Sequence, residues 1–518
     1  MSAPQEKKTP QTRAEREEKR RQEERADRRT MAIYTVVGVV VVLAAIIMMV
    51  WTSGILQRNL TAVEIEGTKF SSVDLQYYYN AAYSEELNRG LSANSTYPFD
   101  TTTSVKDQVY DEESGLSWYD YLTSLAIKNL MTDVALADQA TQAGYTLSEE
   151  AQTELDDFRS QLETVWLGYG YSNQADFIRA SYGNYMTYDR LMSLVEREVL
   201  ANDYANTQVD AIEHSDEEYD AYYQEHASEL DTYSYSQFTF RAQVETTDDE
   251  GNTVEMTEEA QAAALEELRS EQSALAQELQ SRLEAGEDPA ALAEAYADQL
   301  YSSSLDQKRT GANLVSATYA DWLLDSARVA GDTTVSEYET GTSVYFYVVL
   351  FQGRELDDTP TADVRHILVA AEQDEGADEP TQEQYDAAYT QAEELLAQWK
   401  DGEATEESFT QLAVEHSADS AVSSNEGLYS VSSTSGYDAN FMDWALDPSR
   451  QPGDTGIVQN TTSSVKGWHI MYYVSSGDPI WRQTVTAAFR EDDYDALDAQ
   501  AIKSYTYTTG IGLNFVTE

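Results

Sequence analysis

Hydrophobic and polar positions change pattern several times along the chain. Met31 to Trp51 is a run of 21 residues without a charge. At about 1.5 Å per residue such a helix is about 30 Å long, the thickness of a bilayer core. Ala62-Val63-Glu64-Ile65-Glu66-Gly67 alternates apolar and acidic residues up to a glycine, as a short edge strand does. After Ser72, apolar residues recur at helical spacing (Leu75, Tyr78, Tyr79, Ala82). From Leu122 to Asp231 the pattern is nearly all helix, with breaks at Gly144, Gly168-Tyr169-Gly170-Tyr171 and Gly183. Ser215-Asp216-Glu217-Glu218 reads as a capping box. The Tyr and Leu stripes of this region are core positions first, although they could line a groove for unfolded chains.

Beyond residue 231 strands and helices alternate, and the chain repeats itself. Asp321-Trp322-Leu323-Leu324-Asp325, Arg328 and Gly331-Asp332-Thr333 recur 122 residues later as Asp443-Trp444-Ala445-Leu446-Asp447, Arg450 and Gly453-Asp454-Thr455. The same offset sets Tyr345-Phe346-Tyr347 opposite Gly467-Trp468-His469, and upstream Gln237-Phe238-Thr239-Phe240 matches His366-Ile367-Leu368-Val369. Units of this size are domains rather than solenoid turns. Each reads as strand, long helix, second helix, short helix, strand, an α+β domain with a small antiparallel sheet flanked by helices. In the second copy Thr381 and Gln384 form a capping box for a helix whose apolar face is Tyr385, Ala388, Ala392, Leu395 and Trp399. The next helix carries Phe409, Leu412, Ala413 and His416 at i, i+3, i+4 and i+7, which puts His416 on the buried face.

Charge then fixes orientation and excludes partners. Residues 1–30 hold ten Lys/Arg against seven acids, so the positive-inside rule keeps them cytoplasmic and sends residue 52 onward outside. The chain as a whole carries a formal charge of −60, which argues against nucleic acid. The absence of cysteine removes disulfides, thiolate metal sites and cysteine nucleophiles. The acidic turn Asp248-Asp249-Glu250-Gly251 fails as an EF-hand, because Thr246 and Thr257 stand at the first and twelfth ligand positions.

Chemistry concentrates in two strands of the second copy. Of five histidines, His366 and His469 lie in otherwise apolar strands, and the first copy has Gln237 and Tyr347 in their places. On neighbouring strands the two rings can meet across a sheet face. No His-Glu-x-x-His or cysteine partner supports a metal, and no Gly-x-Ser-x-Gly elbow supports a serine nucleophile. Rings hydrogen-bonded to each other in an apolar pocket fit better.

Arg365-His366-Ile367-Leu368-Val369, Leu412-Ala413, His416-Ser417-Ala418-Asp419, Leu428, Phe441 and Gly467-Trp468-His469-Ile470 together resemble the parvulin-type peptidyl-prolyl isomerases. The resemblance implies that His366 and His469 are the paired core histidines and that Asp419 stands at the position held by Cys or Asp. It makes these three the catalytic set, with Leu428, Tyr437, Phe441 and Trp468 binding the substrate and no metal or cofactor. The family's Gly-Gly-Asp-Leu-Gly turn is here Asn425-Glu426-Gly427-Leu428-Tyr429, and Tyr437 replaces the usual pocket Met.

The anchor and the helical region are similar to those of extracytoplasmic foldases of the SurA and PrsA kind. The expected architecture is α+β and multidomain: a basic cytoplasmic tail (1–30), a transmembrane helix (31–51), a mostly helical SurA-like chaperone domain (52–230), a degenerate parvulin-like domain (231–356), a parvulin domain (357–480) and a C-terminal segment packing on another domain (481–518). The function this implies is a single-pass cell-membrane isomerase and chaperone, acting outside the cytoplasm on unfolded or partly folded exported polypeptides with X-Pro bonds. The alternatives are a holdase with two inactive parvulin-like domains, or a cell-wall assembly scaffold.

Overall fold

The structure is a computed structural model that describes the chain except for residues 1–35, 38, 47, 51, 95, 245–255, 342, 375, 376, 378 and 462–464. The basic tail, the acidic turn at 248–251 and part of the expected membrane span therefore lie outside the described residues. Among the described residues no helix is long and apolar enough to cross a membrane. The chain divides into two compact units, one of residues 1–213 with 491–518 and one of residues 214–490.

The first unit is built on helices Ser72–Asn94, Trp118–Ala143, Glu149–Gly168, Gln174–Tyr182 and Tyr188–Asp210. Leu75, Leu122, Leu130 and Leu191 are fully buried in its core, and the helical-spacing residues Tyr78, Tyr79 and Ala82 join them. The helix that ends at Ala143 stops on Gly144, whose left-handed backbone lets its N–H reach Ala140 O and Thr141 O. Thr61–Ile65 is not an edge strand but the centre of a three-stranded antiparallel sheet, between Thr68–Ser71 and Tyr507–Thr509. Acidic residues tolerate that place because partners meet them. Glu64 faces Lys69 across the pair at 3.9 Å, and Glu66 accepts from the Thr506 amide at 2.7 Å. The C-terminal stretch contributes Val516 to the same core.

The second unit starts earlier than the expected boundary at 230. Helix Asp216–Leu230, opened by the Ser215–Glu218 capping box, belongs to it, and Tyr219 and Leu230 pack on Trp481 and Val485. It contains two four-stranded antiparallel sheets of identical order. In one, Ser302–Thr310 lies beside Thr232–Gln243, then Ser343–Glu355, then Thr333–Thr340; in the other, Leu428–Val431 lies beside Pro360–Ala370, then Gly467–Pro479, then Thr455–Asn460. Their registers agree as well. Tyr347 pairs with Thr239 and Val349 with Gln237, as His469 pairs with Leu368 and Met471 with His366.

Alternation along the strands gives the second sheet two cores. Ile367, Val369, Ile470 and Tyr472 face helices Gln382–Asp401 and Glu406–His416, whose Ala392, Trp399, Phe409 and Ala413 cover them. Val364, Met471 and Tyr473 face the other way, toward Phe441 and Trp444 of helix Ala439–Ala445. His416 departs from its expected burial. The helix ends at that residue, so its ring passes beyond the covered face and is exposed, with Glu415 at 3.8 Å.

Candidate active site

The two histidines reach one place because the sheet sets them on one face of its two central strands. Opposite residues are Leu368 with His469 and His366 with Met471, so the histidines are diagonal neighbours. Their ring centroids lie 4.9 Å apart and the two Nδ1 atoms 3.0 Å apart. Both rings are buried. Backbone approaches this close leave no room for side chains: a Cβ on Gly427 would meet His366 O at 2.8 Å, and the Gly427 carbonyl accepts from the His366 amide at 2.9 Å.

Asp419 sits just beyond the end of helix Glu406–His416, on a loop tied to the strand. The Ala418 amide donates to Leu368 O at 2.8 Å, and Ser417 Oγ accepts from the Leu368 amide at 3.1 Å and the Asp419 amide at 3.2 Å. This puts Asp419 Oδ2 3.1 Å from His366 Nε2, while Oδ1 accepts from the Ala421 amide at 3.0 Å. Tyr429, on the edge strand, donates its hydroxyl to the same Oδ2 at 2.6 Å.

These contacts set the protonation states. The hydrogen bond from His366, with those from Tyr429 and the Ala421 amide, holds the Asp419 carboxyl well below the usual range. Burial, reinforced by the neighbouring His366, pushes His469 down to about 3. Burial and then Asp419 push Tyr429 up to about 12. An ionised Asp419 only accepts, so His366 Nε2 carries the proton between them. The two Nδ1 atoms share one proton, and the row runs His469, His366, Asp419, closed by the Tyr429 hydroxyl.

The row borders a cavity of about 310 Å³ lined by His366, Leu368, Asp419, Tyr429, Gly436, Tyr437, Asp438, Phe441, Asn460 and His469. Phe441 stands edge-on to both histidines, at 5.4 and 5.1 Å between centroids. Tyr437 lies 5.6 Å from both Tyr429 and Phe441. A ring-walled cavity with two carboxylates, Asp419 half-buried and Asp438 buried, suits a small ring next to an amide. Among the described residues no group of three or more His, Asp or Glu is placed to hold a metal ion.

Of the residues expected from sequence, the structure gathers His366, Asp419, His469, Tyr437 and Phe441. It does not bring in Leu428 or Trp468. Leu428 pairs with Arg365, on the sheet face opposite His366, and is 40% exposed; Tyr429, paired with Val364, takes the cavity position instead. Trp468 also points away, with its indole N–H donating to Tyr385 O at 3.0 Å and its ring on Tyr389. Leu368, Tyr429, Asp438 and Asn460 escaped the sequence reading. For Leu368 a signal existed, since it stands two residues from His366 on a strand.

The corresponding residues of the first sheet make different contacts. Tyr319, 122 residues before Phe441, donates its hydroxyl to Gln237 Oε1 at 2.5 Å and packs on Tyr235 and Tyr347.

With this geometry in hand, the class is defined: residues 366–475 match the family model "Rotamase: PPIC-type PPIASE domain", so the chain carries a parvulin-type peptidyl-prolyl isomerase domain. Among solved structures it is similar to the peptidylprolyl isomerase PrsA from Bacillus anthracis, at 17% identity and a TM-score of 0.17, over 28% of this chain and 59% of that one. The match thus spans less than two thirds of that protein. No curated protein matches the chain.

Proposed function

We propose that the protein is a membrane-anchored, extracytoplasmic peptidyl-prolyl isomerase and chaperone for exported polypeptides, with catalysis confined to the second sheet. The observation that carries the isomerase reading is the row His469–His366–Asp419 bordering an aromatic cavity. Rotation about an X-Pro bond faces a barrier of about 18–20 kcal/mol from amide resonance. Lowering it needs no nucleophile, only a site that favours the twisted amide over the planar one. Phe441, Tyr437 and Tyr429 would hold the proline ring against the cavity wall and take part of the solvent from the planar amide's polarised carbonyl, which the less conjugated twisted form needs less. His366 and His469, fixed by Asp419, give that cavity a rigid wall.

The first sheet is a degenerate relative of the second: strand order, register and sequence repeat support this, and Gln237, bonded to Tyr319, stands in the place of His366. Anchoring rests on the uncharged run at 31–51, whose described valines, Val36 to Val42 among them, are helical and exposed. The helical unit and the strong negative charge suit a well-solvated extracytoplasmic partner of unfolded clients.

Isomerisation by the full chain, followed with a protease-coupled X-Pro peptide assay, tests the reading. Asp419→Ala is expected to lower kcat/KM at least tenfold, about 1.4 kcal/mol of transition-state stabilisation. Equal turnover in wild type and variant would remove the assignment.

A further inference from the structure

We infer that Tyr429 is a positioning residue of this site: its hydroxyl clamps the Asp419 carboxylate against His366 while its ring walls the proline cavity. The inference rests on the isomerase reading above. Pairing of Tyr429 with Val364 sets it on the same sheet face as His366. Its hydroxyl meets Asp419 Oδ2 at 2.6 Å, and that oxygen also faces His366 Nε2 at 3.1 Å. One carboxylate oxygen is thus held by two donors on two different strands, and an O–H to carboxylate bond of this length belongs to the strong, charge-assisted kind. The Tyr429 ring is itself fixed, 4.9 Å from His366, 5.6 Å from Tyr437 and 6.5 Å from Phe441. The hydroxyl therefore has little freedom to leave.

The titratable groups around Asp419 are His366 and His469 on the central strands, Tyr429 on the edge strand and, before helix Ala439–Ala445, Tyr437 with Asp438. Tyr429 keeps its proton across the neutral range, because ionising it beside a carboxylate is unfavourable. It is a constant donor. Without it Oδ2 retains only the His366 contact, and protonation of Asp419 becomes easier, which removes the acceptor that orients the His366 ring.

Tyr429→Phe keeps the ring and removes the clamp, whereas Tyr429→Leu removes both. In the full chain, Tyr429→Phe is expected to lower kcat about tenfold with KM little changed. Tyr429→Leu adds a several-fold rise in KM. A Phe variant with wild-type kcat would overturn the inference. Carbon-13 titration of the Asp419 carboxyl separates the clamp from the isomerase reading. An upward-shifted midpoint in the Phe variant supports the clamp even in a chain without turnover, which would refute only the isomerase reading. An unshifted midpoint refutes the clamp.

Discussion

His469 has the most to lose from a proton. Its value in the folded chain, about 3, lies far below the roughly 6.5 of an exposed histidine. Between those limits the unfolded chain binds the proton and the folded one does not, so stability rises with pH across the window and is lost as pH falls from about 6.5 toward 3. Asp419 acts in the same direction at lower pH, because its depressed value gives stability that is present above about 3.9 and lost in acid. Chemical denaturation of wild type and His469→Phe at about pH 7 and pH 4 should show a shallower acid loss in the variant, by on the order of 2 kcal/mol or more. Parallel losses would mean that His469 is not buried neutral. At this scale the scarcity of histidine made His366 and His469 legible, whereas Asp419 came only from the family resemblance. Leu428 and Tyr429 could not be told apart, because the turn before them decides which one faces the cavity. Glu426 and Gly427 both take left-handed backbone there, and a strand read from composition gives no phase after such a turn. Trp468 was avoidable: adjacent strand residues face opposite sides, so it could not share a face with His469.

The elements around the site explain its rigidity. Gly427 has φ of 76° and no space for a Cβ against His366 O, so Gly427→Ala forces either the turn or the strand to move. We expect a stability loss of roughly 1–3 kcal/mol by thermal melting, with a fall in turnover, since the same carbonyl contact positions His366. A neutral Ala substitution would contradict this account of the turn. Farther away, the Thr381 hydroxyl caps helix Gln382–Asp401, and Thr381→Ala should cost about 1 kcal/mol without changing turnover. Capping boxes and apolar stripes were readable because they depend only on neighbours in sequence. The position of Thr61–Ile65 was not, because the strand that covers its second edge, Tyr507–Thr509, lies more than 440 residues away. The exposure of His416 was missed for a related reason: spacing gives a helix face but not where the helix ends.

At the scale of the molecule the repeat is the most informative feature. Two sheets of one order and register carry different chemistry: a paired-histidine row in the second, and a tyrosine hydrogen-bonded to glutamine in the first. The proposed anchor makes a separate prediction: a chain lacking residues 1–51 should leave the membrane fraction and keep its isomerase rate. Most direct for the central claim is exchange NMR on an X-Pro peptide with the full chain and its His366→Ala/His469→Ala double variant. The account predicts accelerated cis–trans exchange with the wild type and essentially none with the variant. Equal acceleration by both would place catalysis elsewhere in the molecule.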